Sequence, residues 1–444
     1  MQGVASVWCV ALAAGLSMLA APASAQDGPA GLSLDEAFDT AVDPALAYQP
    51  QLSEPRWVVP APNLPGRLAV DSANNNLSLA FHGGRLFLAW RTAPTHFAST
   101  RSRLYVISSP DLGGSWAPEL DVALGDDVRE PYLLSVRGRL LLYFVELGRD
   151  PYRFEPRVLW RSERLGLGRW TQRERWGGPD EVSWEFKQRR GRVWLTSYRG
   201  KRYSFGAGDV RLSFRWSPDG IEWHTLPGAN AVVYRGGVSE AAFEFDSGGR
   251  LWAVTRNEDG DASGFGSHLV SAPPDQPAAW SFPAQADPNR YDSPRMFRHG
   301  RDLYLVARRD PASPFGQGWS WLPLSVRRLF LWRDYSTRPK RTSLYKIDTE
   351  GRRILPLVDL PSAGDTAFPA IARLGPHTYL IANYTSPLGD PGMSWVQGQL
   401  SPRGTRVYLL MLRFVPQAPA RSLSAEAGTR KGAGAGSPAG RSRP

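Results

Sequence analysis

Apolar and polar residues alternate along this chain in short runs, and most runs end at a turn containing glycine. Leu77 to Phe81 is such a run, and Tyr132 to Val136 is another. A period of two is the signature of a strand that packs one face into a core. Behind each run comes a turn and an aromatic-rich strand. The units begin Gly84-Arg85-Leu86-Phe87-Leu88-Ala89-Trp90, Gly138-Arg139-Leu140-Leu141-Leu142-Tyr143-Phe144, Gly191-Arg192-Val193-Trp194, Gly249-Arg250-Leu251-Trp252 and Gly300-Arg301-Asp302-Leu303-Tyr304; a degraded sixth begins at Gly375. Most are followed by a third strand, as at Leu104 to Ser108, Val210 to Trp216 and Val407 to Phe414. The spacing is roughly 50 residues, the repeat length of propeller blades, with a longer gap before the last copy. The pattern predicts an all-β fold, a six-bladed β-propeller with four-stranded antiparallel blades, one of them a candidate for closure by strands from both termini. A two-sheet sandwich of unrelated hairpins has no reason to repeat its turn and register.

Composition supports many short strands: 17 Trp, 15 Tyr and 18 Phe accompany 44 Gly and 38 Pro. The formal charge is +11, carried mostly by arginines spread along the chain. Nucleic-acid binding would want them clustered on one face, so no nucleic-acid partner is expected. Residues 1–25 read as a signal peptide cleaved after Ala25, which places the protein in the periplasm or outside the cell; the competing reading is an uncleaved anchor, since Met1-Gln2-Gly3 carries no basic residue. Cys9, the only cysteine, lies in that leader, so the mature chain has neither disulfide nor thiolate site. Residues 26–65 read as an extended lead-in, 66–417 as the propeller and 418–444 as a disordered basic tail.

The hairpin from Ser239 to Arg256 concentrates the chemistry. Glu240 opens its first strand and Arg256 closes the second, so the two should meet at one rim. Arg91 lies seven residues after Gly84, as Arg256 does after Gly249; Arg199 and Arg308 lie eight after Gly191 and Gly300. Equivalent strand ends converge on one face of a propeller, so these arginines are candidates for an anion pocket, guanidinium being a planar, permanently charged partner for carboxylates. Single arginines that bridge blades or face solvent are the plainer alternative.

Two turns carry a further motif, Ser109-Pro110-Asp111-Leu112-Gly113-Gly114-Ser115-Trp116 and the shorter Ser217-Pro218-Asp219-Gly220-Ile221-Glu222-Trp223. With Asp127-Val128-Arg129-Glu130-Pro131, the Glu240–Arg256 hairpin, Ser293-Pro294-Arg295 and Asp365-Thr366-Ala367-Phe368-Pro369, they make the chain from about residue 70 to 415 resemble the sialidase superfamily, whose Asp-box (BNR repeat) the first turn matches. The resemblance implies a six-bladed propeller of bacterial secreted type in which Arg91, Arg256 and Arg308 would hold a sugar carboxylate; Arg309 or Arg295 are alternatives to Arg308. It implies Glu240 as the carboxylate that activates a tyrosine nucleophile. Phe368 stands where that tyrosine is expected, and Tyr384 is the candidate substitute. The loop from Thr92 to Arg101 has no acid, leaving His96 as its only proton carrier. Asp127, Glu130 and Asp365 are further candidates as acids or sugar contacts, or plain turn caps.

An insertion at 312–336 interrupts blade five. Its Trp, Phe and Arg residues suit sugar stacking, a lid or weak membrane-surface contact through 314–333, against the simpler reading of a loop packed on its blade. No metal or cofactor motif stands out, so neither is expected. The expected function is exo-acting hydrolysis of glycans, with a sugar acid as substrate; glycan lyase chemistry remains open, and a non-catalytic carbohydrate- or protein-binding propeller is the alternative.

Overall fold

The computed structural model describes residues 33–202, 209–314 and 321–417. The leader and the basic tail lie outside those residues. Six antiparallel sheets form the described chain. Each inner strand packs on the inner strands of the blades before and after it, and the sixth packs on the first, which closes the ring. The six-bladed propeller expected from the repeats is therefore the fold.

The inner strands are Ala73–His82, Val128–Val136, Glu181–Arg189, Val238–Phe245, Asp292–His299 and Thr366–Gly375, for blades one to six. They are followed by the second strands Arg85–Ala93, Arg139–Leu147, Arg192–Arg199, Leu251–Asn257, Asp302–Arg309 and Thr378–Thr385. The repeated turn is a two-residue hairpin in blades one, two and three. It needs left-handed backbone at both positions, and Gly84, Gly138 and Gly191 supply the second with φ of +73°, +73° and +68°. Blade four departs from the four-strand expectation: it has three strands, and the isolated bridge Ser271–Ser281 stands in for its outer edge.

The expected lead-in is structured. It carries helix α1 (Leu34–Thr40) and two strands, Tyr48–Leu52 and Arg56–Val59. Both strands pair with Arg406–Pro416 in blade six, so the two ends of the chain share one sheet. Helix α1 opens with a capping box, Ser33 and Glu36, and packs across the face that bears the hairpin turns.

Residues 315–320 of the insertion lie outside the described residues; its later part is helical where a loop was the plainer reading. Helix α2 (Leu324–Thr337) rises between the second and third strands of blade five, and helix α3 (Trp395–Leu400) occupies the same connection in blade six. Their contact is Tyr335 edge-on to Trp395 at 5.3 Å. Helix α2 buries Leu331 and Tyr335 together with Arg328, whose Nε donates to Asp259 O, and exposes Leu329 and Phe330. No helix among the described residues is long and apolar enough to cross a membrane.

Candidate functional site

Every inner strand carries a β-bulge at the same level. The register slips between Asn75 and Ser78, Arg129 and Tyr132, Ser183 and Glu185, Val238 and Ala241, Asp292 and Arg295, and Ala367 and Ala370. A bulge leaves a residue out of the ladder and re-aims its side chain. Asn76, Glu130, Ser293 and Phe368 sit in these bulges with φ between +47° and +51°. Glu240 and Trp184 occupy the corresponding slips of blades four and three. Three of the bulges contain proline, Pro131, Pro294 and Pro369, which cannot donate to a ladder and is tolerated at such a break.

Two of the bulge side chains close the axis. Phe368 from blade six meets Trp184 from the opposite blade three edge to face, with ring centroids 5.7 Å apart. Trp184 is held from both sides: its indole donates to Pro294 O at 3.2 Å, and its own carbonyl accepts from Arg295 Nη1 at 2.7 Å. The other bulge residues, Asn76, Glu130, Glu240 and Ser293, are buried on the mouth side of this aromatic floor.

Glu130 is buried at that level. Asn76 Nδ2 donates to its Oε1 at 3.0 Å. Burial, then the charge of Glu240, pushes the Glu130 carboxyl up to about 7 against the pull of Arg129 and Arg295. Glu240 uses both oxygens: Arg256 Nη1 donates to Oε1 at 2.5 Å and the Ser293 amide to Oε2 at 2.8 Å. The hairpin ends meet as expected. Burial still raises the Glu240 carboxyl, with Arg256 opposing and Glu258 reinforcing the rise.

His96 belongs to the same mouth. Its Nδ1 lies 2.7 Å from Asp365 Oδ2, which leaves Nε2 as the basic nitrogen when Nδ1 carries the proton. Burial lowers its pKa in spite of Asp365, so the ring is neutral near neutral pH. Asp365 also accepts from Tyr384 OH at 3.1 Å and from Trp395 Nε1 at 3.2 Å. Helix α3 approaches Asp365 closely because Gly398 faces it: a Cβ there would stand 2.3 Å from the Asp365 amide nitrogen.

The arginines depart from the expected pocket. Arg91 is wholly buried and spent on Asp127, with Nη2 2.7 Å and Nε 3.0 Å from Oδ1, and on the carbonyl of Phe97. Asp127 is the hub of this pair. Burial would raise its carboxyl, but Arg129 and Arg91 outweigh that and lower it, so it is a fixed carboxylate without a proton to give. Arg308 is also fully buried: Nε donates to Tyr335 OH at 2.9 Å, and its guanidinium lies 4.6 Å from the Trp395 ring. Its neighbour Arg309 turns outward to Asp359 at 2.7 Å.

Equal counting from the turns also misled. Arg91 and Arg308 pair with the residues before their bulges, Asn75 and Asp292. In blade four that place belongs to Asn257, paired with Val238, and Arg256 faces the bulge itself. The cause is turn length: residues 246–250 separate the blade-four strands, against Gly83-Gly84 in blade one. Arg199 in blade three pairs across to Glu181 and lies away from the mouth.

Asp292 explains much of the arginine cluster. Arg290, Arg256 and Arg308 converge on it at 3.2, 3.6 and 3.8 Å, so a carboxylate of the chain itself already occupies the point where they meet. The guanidinium side chains that keep slight exposure at this level are Arg129 (9%) and Arg256 (8%), while Arg295 (9%) lines the space below the floor. Tyr384 is sealed as well. It has no exposed surface, and burial followed by Asp365 raises its phenol well above the ordinary value, the reverse of an activated nucleophile.

Sequence reasoning thus brought Glu240, Arg256, Glu130, His96 and Asp365 to one mouth. It missed Arg129, Trp184, Asp292 and Tyr335 as parts of it. The prolines after Glu130, Ser293 and Phe368 were the available signal, since proline inside an inner strand marks the bulge that aims the preceding side chain.

No family model and no curated protein matches this chain. Among solved structures it is similar to a protein of unknown function from Dyadobacter fermentans, at 15% identity and a TM-score of 0.49 over 78% of this chain and 97% of that one. It is similar to Trypanosoma rangeli sialidase in complex with sialic acid at 12% identity and a TM-score of 0.48, over 83% of this chain and 59% of that one. A family 117 glycoside hydrolase from Zobellia galactanivorans gives 14% identity and a TM-score of 0.39, over 61% and 87%. These likenesses concern overall fold. The residues of the mouth are read from this chain alone.

Proposed function

We propose that the bulge-lined mouth is a glycan-processing site of glycosidase type that works without a tyrosine nucleophile. The observation that carries the reading is Glu130, a buried carboxyl that accepts from Asn76 and that burial, then the charge of Glu240, pushes up to about 7. A protonated carboxyl is what a glycosidic leaving oxygen needs. Glu240, with both oxygens engaged, is the charge that keeps the Glu130 proton in place. His96, neutral and oriented by Asp365, is the base. In the proposed step the bond from the anomeric carbon to the leaving oxygen breaks and that oxygen takes the Glu130 proton. Water adds to the anomeric carbon and gives its proton to His96. Phe368 has no hydroxyl to form a covalent intermediate, so direct displacement with inversion fits.

The blind floor of Phe368 and Trp184 suits a chain end, hence exo action. Arg129 and Arg256, slightly exposed at this level, suit a carboxylate on the sugar. Export by the leader in 1–25 would bring the protein to such glycans, and N-terminal sequencing of the processed chain checks that.

The test uses the mature chain with sialosides, uronic-acid oligosaccharides and neutral glycans, with products separated by chromatography. Glu130→Gln should lower kcat by about 10²–10⁴-fold and remove the alkaline limb near pH 7. No product from any glycan, or full activity in Glu130→Gln, would overturn the reading. A binding-only role is the second reading, favoured by the sealing of Tyr384, Arg91 and Arg308. It predicts a glycan recovered unchanged, with affinity indifferent to Glu130→Gln.

A further inference from the structure

Below the aromatic floor the axis opens into a second space. It is a chamber of about 1470 Å³, reaching from the axis toward blades six and one. Its wall begins just past the bulges and includes Leu79, Leu133, Met296, Ala370 and Ala372. None of Glu130, Glu240, His96 or Asp365 lies on that wall. Helix α1 roofs the far side. Asp39 pairs with Arg373 at 2.6 Å and with Arg298 at 2.7 Å, Asp35 with Arg189 at 3.3 Å, and Leu34 and Phe38 face the space.

One polar group on the wall is unmatched. Glu185, the residue after Trp184, is 3% exposed, and its Oε2 accepts no hydrogen bond. Arg295 Nη1 stands 4.0 Å from that oxygen and is already committed to the Trp184 carbonyl. Lys187 Nζ is 3.8 Å from the other oxygen and donates to Met296 O at 2.6 Å. A buried acceptor left without a donor is costly, and in a roomy apolar cavity it marks where a ligand donor would be most strongly held.

We propose that this chamber is a second binding site, separate from the glycan mouth, for an amphiphile with an apolar chain and a hydrogen-bond-donating head, a hydroxyl or a protonated amine, received by Glu185 Oε2. The apolar body occupies the space between the inner strands of blades six, one and two. The Phe368–Trp184 contact keeps it from the mouth, so occupancy of the chamber and turnover of a glycan are independent measurements.

The experiment titrates the mature chain with N-phenyl-1-naphthylamine and follows fluorescence, then displaces the probe with decylamine, decanol or decanoate below their micellar concentrations. Saturable binding is expected, with decylamine and decanol displacing at about tenfold lower concentration than decanoate, whose carboxylate would face Glu185. Glu185→Gln should erase the preference between decylamine and decanoate while keeping probe binding. Ala372→Phe, with its fold checked by thermal melting, should weaken probe binding about tenfold by narrowing the chamber beside Ala370. No saturable binding to the wild-type chain, or an unchanged head-group preference in Glu185→Gln, overturns the proposal. Glycan turnover is read in the same samples, so failure here is distinguishable from failure of the mouth.

Discussion

The two halves of the axis are made by the same six strands and differ in one respect, whether the strands keep register. Below the floor the strands of blades one to five pair regularly and blade six slips only at its turn, between Arg373 and Gly375, and an apolar chamber remains under helix α1. Above it, each strand slips by a residue and projects Asn76, Glu130, Trp184, Glu240, Ser293 or Phe368 out of the ladder. The slipped half holds most of the buried charge, including the Arg91–Asp127–Arg129 and Arg256–Glu240 groups. Regular pairing builds a scaffold, and the break in pairing delivers polar groups to the axis.

The largest effect should come from removing the hub of the upper half. Asp127→Ala would leave the buried guanidiniums of Arg91 and Arg129 without their carboxylate, at a cost of about 3–5 kcal/mol. Urea unfolding measures it, and a loss below about 1 kcal/mol would mean that water reaches this end of the axis freely. The floor comes next. Phe368→Ala removes a side chain that touches Trp184, His96 and Tyr384, for about 3 kcal/mol, and joins the two spaces. Glycan chains and amphiphiles should then compete, where in the wild type they do not.

Much of this architecture was legible because it repeats. The turn at Gly84, Gly138 and Gly191 recurs with the same neighbours, and local chemistry alone fixes it. The meeting of Glu240 with Arg256 followed from hairpin geometry. The fate of the arginines did not, because it depends on partners distant in sequence. Arg91 looks like a free strand-end guanidinium until Asp127 of the next blade is beside it. Arg308 is roofed by Tyr335, from a segment whose apolar residues fall on both its buried and its exposed sides and so gave no helical signal. The lead-in was misread for a related reason: the short run 48–52 has no hairpin partner nearby, and its partner lies at the far end of the chain.

Glu130→Gln sharpens the contrast by charge alone. Folding raises the Glu130 carboxyl from 4.5 to about 7. The folded state therefore holds this proton more tightly than the unfolded chain. The native fold bears no penalty below pH 4.5, and loses stability as pH rises from there through 7. Glutamine keeps the size, and its carbonyl can accept from Asn76. The variant should match the wild type at pH 4 and exceed it by about 2–3 kcal/mol at pH 8. A difference that is flat with pH would remove the basis for Glu130 as proton donor.

The smallest effect lies at the outer rim, where a carboxylate works with the opposite sign. Asp111 accepts from the Ser115 amide at 2.8 Å, Ser115 Oγ at 2.9 Å and Ser109 Oγ at 2.7 Å, closing the turn that Asp219 closes again in blade three. Slight burial would raise its pKa, but the donors around it win and lower it. Its contribution is present above the unfolded value near 3.8 and fades as pH falls through the lowered one. Asp111→Ala should cost about 1 kcal/mol at pH 7, less in acid, because water replaces part of what the turn loses. Paired melting curves of Asp111→Ala and Glu130→Gln between pH 4 and 8 then test both ends of the argument. The Asp111 deficit should stay nearly constant over that range, because its carboxylate titrates below it, whereas the Glu130 gain should grow from pH 4.5 through 7. If the two curves coincide, the bulge level is no more shielded from water than a surface turn, and the distinction between the halves of the axis fails.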